Sequence, residues 1–248
     1  MANGLKGVIL AGGTGSRLHP LTQITNKHLL PIYDRPMISW AIEALVKAGV
    51  TDLMLVTGGT HAGEFFRLLG NGHEYGIDRL FYAYQERAGG IAEALGLAER
   101  FVAGDRVCVM LADNVVEQSI RPSVDAFAAQ ASGGRILLHR AEAAHLRHLG
   151  VAALEDGRVT RIVEKPDEPP SEFAVTGIYF YDDSVWRIIE SLEPSARGEL
   201  EITDVNNWYI ENSTLEYDVL DGFWGDAGES IDAYYAVNDF VRANGANK

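Results

Sequence analysis

Arg17 and Lys27 stand ten residues apart, and the arginine closes a glycine-rich stretch, Gly12-Gly13-Thr14-Gly15-Ser16-Arg17, that follows the apolar run Gly7-Val8-Ile9-Leu10-Ala11. A loop with little side-chain bulk exposes backbone N–H groups that close on phosphate oxygens, and two cations nearby add charge. That combination suits a triphosphate. It is not a Walker A loop, which needs Gly-Lys-Ser/Thr after its spacer. Nor is it a dinucleotide fingerprint, whose third glycine would fall at Leu18. Asp113, after the apolar run Val107-Cys108-Val109-Met110-Leu111, is a candidate Mg²⁺ ligand, because that ion takes one or two carboxylates together with phosphate oxygens and water. On the residues alone, Asp113-Asn114 is also ordinary turn chemistry. Lys165 beside Glu164 reads alone as an exposed ion pair, and Asp226 in Gly222-Phe223-Trp224-Gly225-Asp226-Ala227-Gly228 reads alone as part of a loop.

Taken together, Gly12–Thr22, Asn26–Ile38, Leu111–Asn114, Glu164–Pro166, Ala174–Asp182, Arg197–Asn206 and Trp224–Gly228 resemble, in the same order, the motifs of the sugar-1-phosphate nucleotidyltransferase family. The likeness is greatest to its glucose-1-phosphate thymidylyltransferase branch. It covers nearly the whole chain and implies an Mg²⁺-dependent transferase that joins dTTP or UTP to a sugar 1-phosphate, with release of pyrophosphate. By the same resemblance, Arg17 neutralises the β- and γ-phosphates, Lys27 acts on the leaving group, and Asp113 with Asp226 holds the metal. Lys165 clamps the sugar phosphate and Glu164 bonds sugar hydroxyls, while Asn114, Gly150, Val175 and Trp224 line the sugar pocket. The nucleotide lies along Leu10, Ala11, Gly12, Gly13, Gly15 and Asp113. Gln85 meets the edge of the base, helped by the backbone of Gly90; an amide both donates and accepts, which complements thymine or uracil. A homo-oligomer, tetramer or dimer, is also implied.

The family usually has threonine where this chain has Ser16, Ala227 and Glu229, and glycine where it has Ala112. Val115-Val116-Glu117 also departs from the family stretch beside the sugar, and these changes bear on which sugar fits. The chain is expected to be a short form without the C-terminal regulatory extension of longer members. Two other readings stay open: a cytidylyltransferase acting on phosphocholine or another small phosphate, and a nucleotide-binding regulatory relative without catalysis. His19, His28, His139 and the His145/His148 pair lack a zinc-like arrangement with Cys or carboxylates and read as surface or core residues.

These residues must be carried by elements that bring them to one place. The 248 residues, 47% hydrophobic, suffice for one sizeable core, and no linker-like stretch divides them, so a single domain over residues 1–248 is expected. A net charge of -14 argues against nucleic acid and against an anionic membrane surface, so the cations of the loop act locally. Cys108, the single cysteine, reads as a core residue and permits no intrachain disulfide. With neither a signal peptide nor a membrane span in the pattern, the cytoplasm is the expected setting.

Strands over 6–11, 52–57, 79–84 and 106–111 alternate with helices over 37–46, 91–101 and 123–131. This alternation predicts a Rossmann-like, mostly parallel sheet covered by helices on both faces. Ligands of such sheets sit beyond the carboxyl ends of the strands, which is where both the Gly12–Arg17 loop and Asp113 fall. Antiparallel strands are added in the second half: 151–154 and 159–164 around the turn signal Asp156-Gly157, then 173–181. Helices are expected over 184–192, over 203–210 with Thr203 as N-cap, and over 230–242. The proline-rich Lys165–Pro170 is a surface loop.

Overall fold

A computed structural model describes residues 4–248. β1 (Leu5–Ala11) is buried along almost its whole length, as a strand covered on both faces must be. A short ribbon of β2 (Pro31–Ile32) and β3 (Arg35–Pro36) leads into α1 (Ile38–Lys47). That helix halts where expected. Gly49 takes φ 83°, its N–H bonds the Val46 carbonyl, and the N–H of Val50 bonds that of Leu45, both at 2.9 Å. β4 (Asp52–Gly58), α2 (Ala62–Leu69) and β5 (Arg79–Gln85) follow. The single helix expected over 91–101 is two, α3 (Ile91–Gly96) and α4 (Glu99–Val102). Gly96 is a poor helix former, and beyond it the N–H of Ala98 reaches back to the Leu95 carbonyl in a tighter turn.

β6 (Arg106–Leu111) returns to the other side of β1. Leu10 is thus paired in parallel register with Val56 of β4 and with Leu111 of β6, and β5 lies beyond β4. The direction of winding reverses between β1 and β6. In open sheets of this kind that reversal opens a crevice at the carboxyl ends of the two strands.

The second half comprises β7 (Asn114–Val116), α5 (Arg121–Ala129), β8 (Gly134–Arg140), α6 (Ala143–Leu146), β9 (Gly150–Glu155), β10 (Arg158–Glu164) and β11 (Phe173–Tyr181). It ends with α7 (Val185–Ser191), α8 (Ile202–Glu211), β12 (Leu215–Val219), β13 (Trp224–Asp226) and α9 (Ile231–Asn244). β11 runs antiparallel to β6 and β8, while β9 and β10 form the expected hairpin, with φ 50° at Asp156 and 74° at Gly157. β13 pairs with β7 so that Asp226 stands opposite Asn114. Ser230 caps α9 through the N–H of Ala233. Thr203 does not cap α8: the helix begins one residue earlier with Glu201 in the cap position, and the Thr203 hydroxyl donates to Glu164 at 2.8 Å.

One face of the sheet packs Phe65, Cys108, Phe127 and Phe180, and the other packs Val8, Val109, Tyr181 and Tyr209. A third cluster, with Leu18, Trp40, Val115, Ala227 and Tyr234, ties the glycine loop to β7, to the segment after β13 and to α9. Burial pushes the Cys108 thiol well above its ordinary value, so it is a core residue as expected. Phe127 is fully buried, 5.4 Å from the Phe180 ring and under the Arg106 guanidinium at 4.7 Å. Phe127→Ala is expected to cost about 3–5 kcal/mol, read as a lower urea midpoint at unchanged slope.

Candidate active site

The crevice is a cleft of about 640 Å³. Its walls come from the Gly12–Arg17 loop, the ends of β5, β6 and β10, the start of β9, and the segments around Arg197 and Asp226. β1 delivers Leu10 and Ala11, both buried, and the loop turns through Gly15 at φ 67°, where the Thr22 hydroxyl holds the Gly15 carbonyl. Leu18, fully buried, anchors the far end of the loop and leaves Arg17 exposed on the cleft wall.

Lys27 opens a single helical turn whose cap, Asn26, accepts both the backbone N–H of His28 and its ring Nδ1–H. This turn carries the lysine inward until it is only 8% exposed, with Nζ 2.5 Å from Asp113 Oδ2. Asp113, 5% exposed, also accepts from Asn114 Nδ2 at 3.1 Å. Asp226 Oδ1 accepts the Gly228 N–H at 2.8 Å, and the Ala227 N–H bonds the Asp113 carbonyl at 2.9 Å, so backbone joins the two aspartates. A Cβ placed on Gly228 would lie 2.5 Å from Asp113 Oδ2, 2.6 Å from Lys27 Nζ and 3.2 Å from Asp226 Oδ1. Three charged groups distant in sequence therefore crowd one point.

The electrostatics follow from that crowding. Burial opposes ionisation of Asp113, but the Lys27 ammonium, then His28 and the hydrogen bonds, hold its carboxyl well below the usual range. Burial also works against Lys27, yet Asp113 and Asp226 outweigh it and raise its pKa. For Asp226, burial and the negative charge of Asp113 act together, and its carboxyl is pushed up to about 7. Two carboxylates forced together are the donor pair that a hard divalent cation takes, with phosphate oxygens and water completing its shell. Among the described residues no group of three or more His, Cys, Asp or Glu could hold a metal.

The raised Asp226 carboxyl has a consequence for stability. Unfolded, it ionises near 3.8; folded and free of metal, it keeps its proton to about 7. The folded state therefore binds the extra proton between these values, and stability from this group falls as pH rises through that window. Asp226→Asn is expected to stabilise the chelator-treated protein at pH 8 by about 1–4 kcal/mol and to leave it unchanged below pH ~3.8. Denaturant titrations at the two pH values check this.

On the opposite wall, β10 ends at Glu164, which pairs in register with Gly150. Glu164 accepts from Thr203 and lies 3.2 Å from Lys165 Nζ and 3.6 Å from Arg197 Nη2. Lys165 sits at φ 46°, its N–H bonding the Leu149 carbonyl, with its side chain exposed on the cleft. A Cβ on Gly150 would meet nothing closer than 3.4 Å, so the bare floor is open to the cleft and is not required by packing. Val175 and Trp224 also line it. Asn114 is 1% exposed, and its Oδ1 already accepts from the Gly177 N–H and the Trp224 indole N–H. The amide is a cross-brace behind Asp113. Gln85, at the end of β5 and 7% exposed, faces the cleft beside Gly90, whose φ of 99° is matched by a 2.4 Å approach of the Leu200 carbonyl to any Cβ placed there.

All the candidate catalytic, nucleotide-binding and sugar-phosphate-binding residues line this cleft except Ala11, which is fully buried, whereas of the departures from the family pattern only Ser16 lines it, and Ala112, Val115, Val116 and Ala227 are packed in the core. Several were missed. Arg197 adds a fourth cation to Arg17, Lys27 and Lys165, and is held by Glu201 at 2.7 Å. Tyr179, Thr203 and Asn206 also line the cleft; the available signals were the matched stretches Ala174–Asp182 for Tyr179 and Arg197–Asn206, matched without roles, for the other three. His28 is no ordinary core histidine: burial and the Lys27 charge depress it to about 3, with Nε2 3.9 Å from Asp113 Oδ2.

The nucleotidyl transferase family profile matches residues 6–244. A glucose-1-phosphate thymidylyltransferase of Actinoplanes sp. is 43% identical over 96% of this chain and 78% of its own length. One from Neisseria meningitidis is 41% identical over 90% of this chain and 78% of its own. Among solved structures, a Bacillus anthracis protein in complex with a sucrose, provisionally named a glucose-1-phosphate thymidylyltransferase, is 47% identical. It superposes with a TM-score of 0.91 over 96% of this chain and 95% of that one.

Proposed function

The chain belongs to the nucleotidyl transferase family, and from that premise we propose that it joins dTTP, or alternatively UTP, to glucose 1-phosphate, giving an NDP-sugar and pyrophosphate. The observation that carries this reading is the crowding of Lys27, Asp113 and Asp226 around Gly228, in a cleft that Arg17 and Lys165 also line. A sugar-phosphate oxygen attacks the α-phosphorus in line, and the bond from that phosphorus to the oxygen bridging the β-phosphate breaks. No covalent enzyme intermediate forms. The barrier lies in bringing two polyanions together and in the charge gathering on pyrophosphate.

Arg17 meets the β- and γ-phosphates as a planar fork, and Lys27 acts on the leaving group as a point charge. Lys165 holds the sugar phosphate, and Glu164, kept in place by Thr203, bonds sugar hydroxyls over the open floor at Gly150. Asp113 and Asp226 would hold Mg²⁺, braced by Asn114 and the Gly228 N–H. When bound, that ion supplies positive charge to the α-phosphate and sugar-phosphate oxygens. The acceptor is phosphorylated sugar and not phosphocholine, a reading supported by the names of the relatives. The protein acts as a homo-oligomer, dimer or tetramer, in the cytoplasm. Among the described residues no helix is long and apolar enough to cross a membrane.

Mass spectrometry of products across a matrix of sugar phosphates and nucleoside triphosphates tests the proposal. The expected product is dTDP-glucose with stoichiometric pyrophosphate. A CDP-linked product alone, or nucleotide binding by thermal shift with no product from any pair, would overturn it.

A further inference from the structure

Gln85 does not present its amide freely. Its Nε2 donates to Glu93 Oε1 at 3.1 Å and to the Gly90 carbonyl at 3.2 Å. Its Oε1 points the other way, toward the glycine loop, where a Cβ on Gly12 would lie 2.7 Å from it. Glu93, in the first turn of α3, is held in turn by Arg87, whose Nε and Nη2 lie 3.0 and 2.7 Å from Oε2. Turning the Gln85 amide over would set its oxygen against a carboxylate and a carbonyl, neither of which has a proton to give. A carboxylate at position 93 therefore fixes the amide one way round. A neutral amide there would tolerate both, since it could donate as well as accept.

We infer that Glu93 sets the base specificity of the site by locking Gln85 with its oxygen toward the nucleotide, so that the pyrimidine accepted must offer an N–H at that point. Thymine and uracil carry a proton on N3; cytosine has a lone pair there and meets the oxygen as acceptor against acceptor. Both Nε2 protons are spent inside the protein, so Gln85 has nothing to donate to cytosine N3. Glu93 touches no substrate and is a positioning residue. The inference deepens the proposed function and rests on that reaction together with the family resemblance, which sets the base against Gln85.

The test compares dTTP, UTP and CTP with wild type, Glu93→Gln and Glu93→Ala, by steady-state kinetics and by calorimetric binding of each nucleotide. Both variants are expected to lower the preference for dTTP over CTP about tenfold, the worth of one orienting hydrogen bond. The loss is expected on KM for dTTP, with KM for the sugar phosphate unmoved. An unchanged dTTP-to-CTP ratio, or a fall in kcat alike for all nucleotides, would overturn the inference. If wild type binds nucleotide but transfers nothing, the proposed reaction fails while the ratio of binding constants still decides the role of Glu93. If wild type binds no pyrimidine nucleotide, both fail.

Discussion

Asp113→Ala is expected to lower turnover at least ~10²-fold, the scale of a lost transition-state charge contact, with a cooperative unfolding transition retained. Two losses combine. The carboxylate proposed to hold the cation with Asp226 disappears, and the buried Lys27 ammonium, 2.5 Å from it, loses the anion that fixes its position. The fold should survive, because Asp113 lies at the cleft and not within the apolar clusters, and because its backbone carbonyl still accepts from Ala227. A pyrophosphate-coupled assay reads the effect. Turnover within about tenfold of wild type would remove Asp113 from the chemistry.

Gly228→Ala, the addition of one methyl group, is expected to be nearly as severe. That methyl would lie 2.5 Å from Asp113 Oδ2 and 2.6 Å from Lys27 Nζ, so the ion pair must part or the loop after β13 must move and take Asp226 with it. Displacements of about 1 Å at a reacting centre cost ~10²-fold in rate. The glycine is not held by an unusual φ, so the methyl acts on the charged groups and not on the backbone. Turnover near wild type, with the thermal midpoint unchanged, would show that the crowded arrangement is not the one used in catalysis.

The opposed behaviour of Asp226 fits the same picture. Its burial, together with repulsion from Asp113, costs stability in the metal-free protein, and Asp226→Asn should relieve that cost while removing a proposed metal ligand. The proposed role explains that strain: two carboxylates set to receive a cation repel each other in its absence.

The parallel half of the fold was legible because its strands are continuous apolar runs and its first helix repeats apolar residues along one face. β11 fell over Phe173–Tyr181 as read. β7 and β13 were not legible: three residues each, they carry no usable period, and their ribbon comes from pairing between distant parts of the chain, which sets Asp226 opposite Asn114. β8 and β12 were missed as well, since their pairing depends on partners far along the chain. The break in the helix over 91–101 lay in a single glycine, whose effect depends on context. At the site, the residue types in the motifs were legible, but their partners were not. Thr203 looked like a helix cap until its hydroxyl was found on Glu164. Glu93 carried no signal of its own in the sequence, because its role depends on a contact with Gln85 that only the fold creates.

The proposed reaction is direct transfer between two substrates held together in one cleft by Arg17, Lys27, Asp113, Lys165 and Asp226. The stereochemical course at the α-phosphorus tests it most directly, using a single diastereomer of α-thio-dTTP with glucose 1-phosphate. One in-line displacement predicts inversion of configuration in the NDP-sugar formed. Retention would require a covalent nucleotidyl-enzyme and two successive displacements, and would rule out direct transfer.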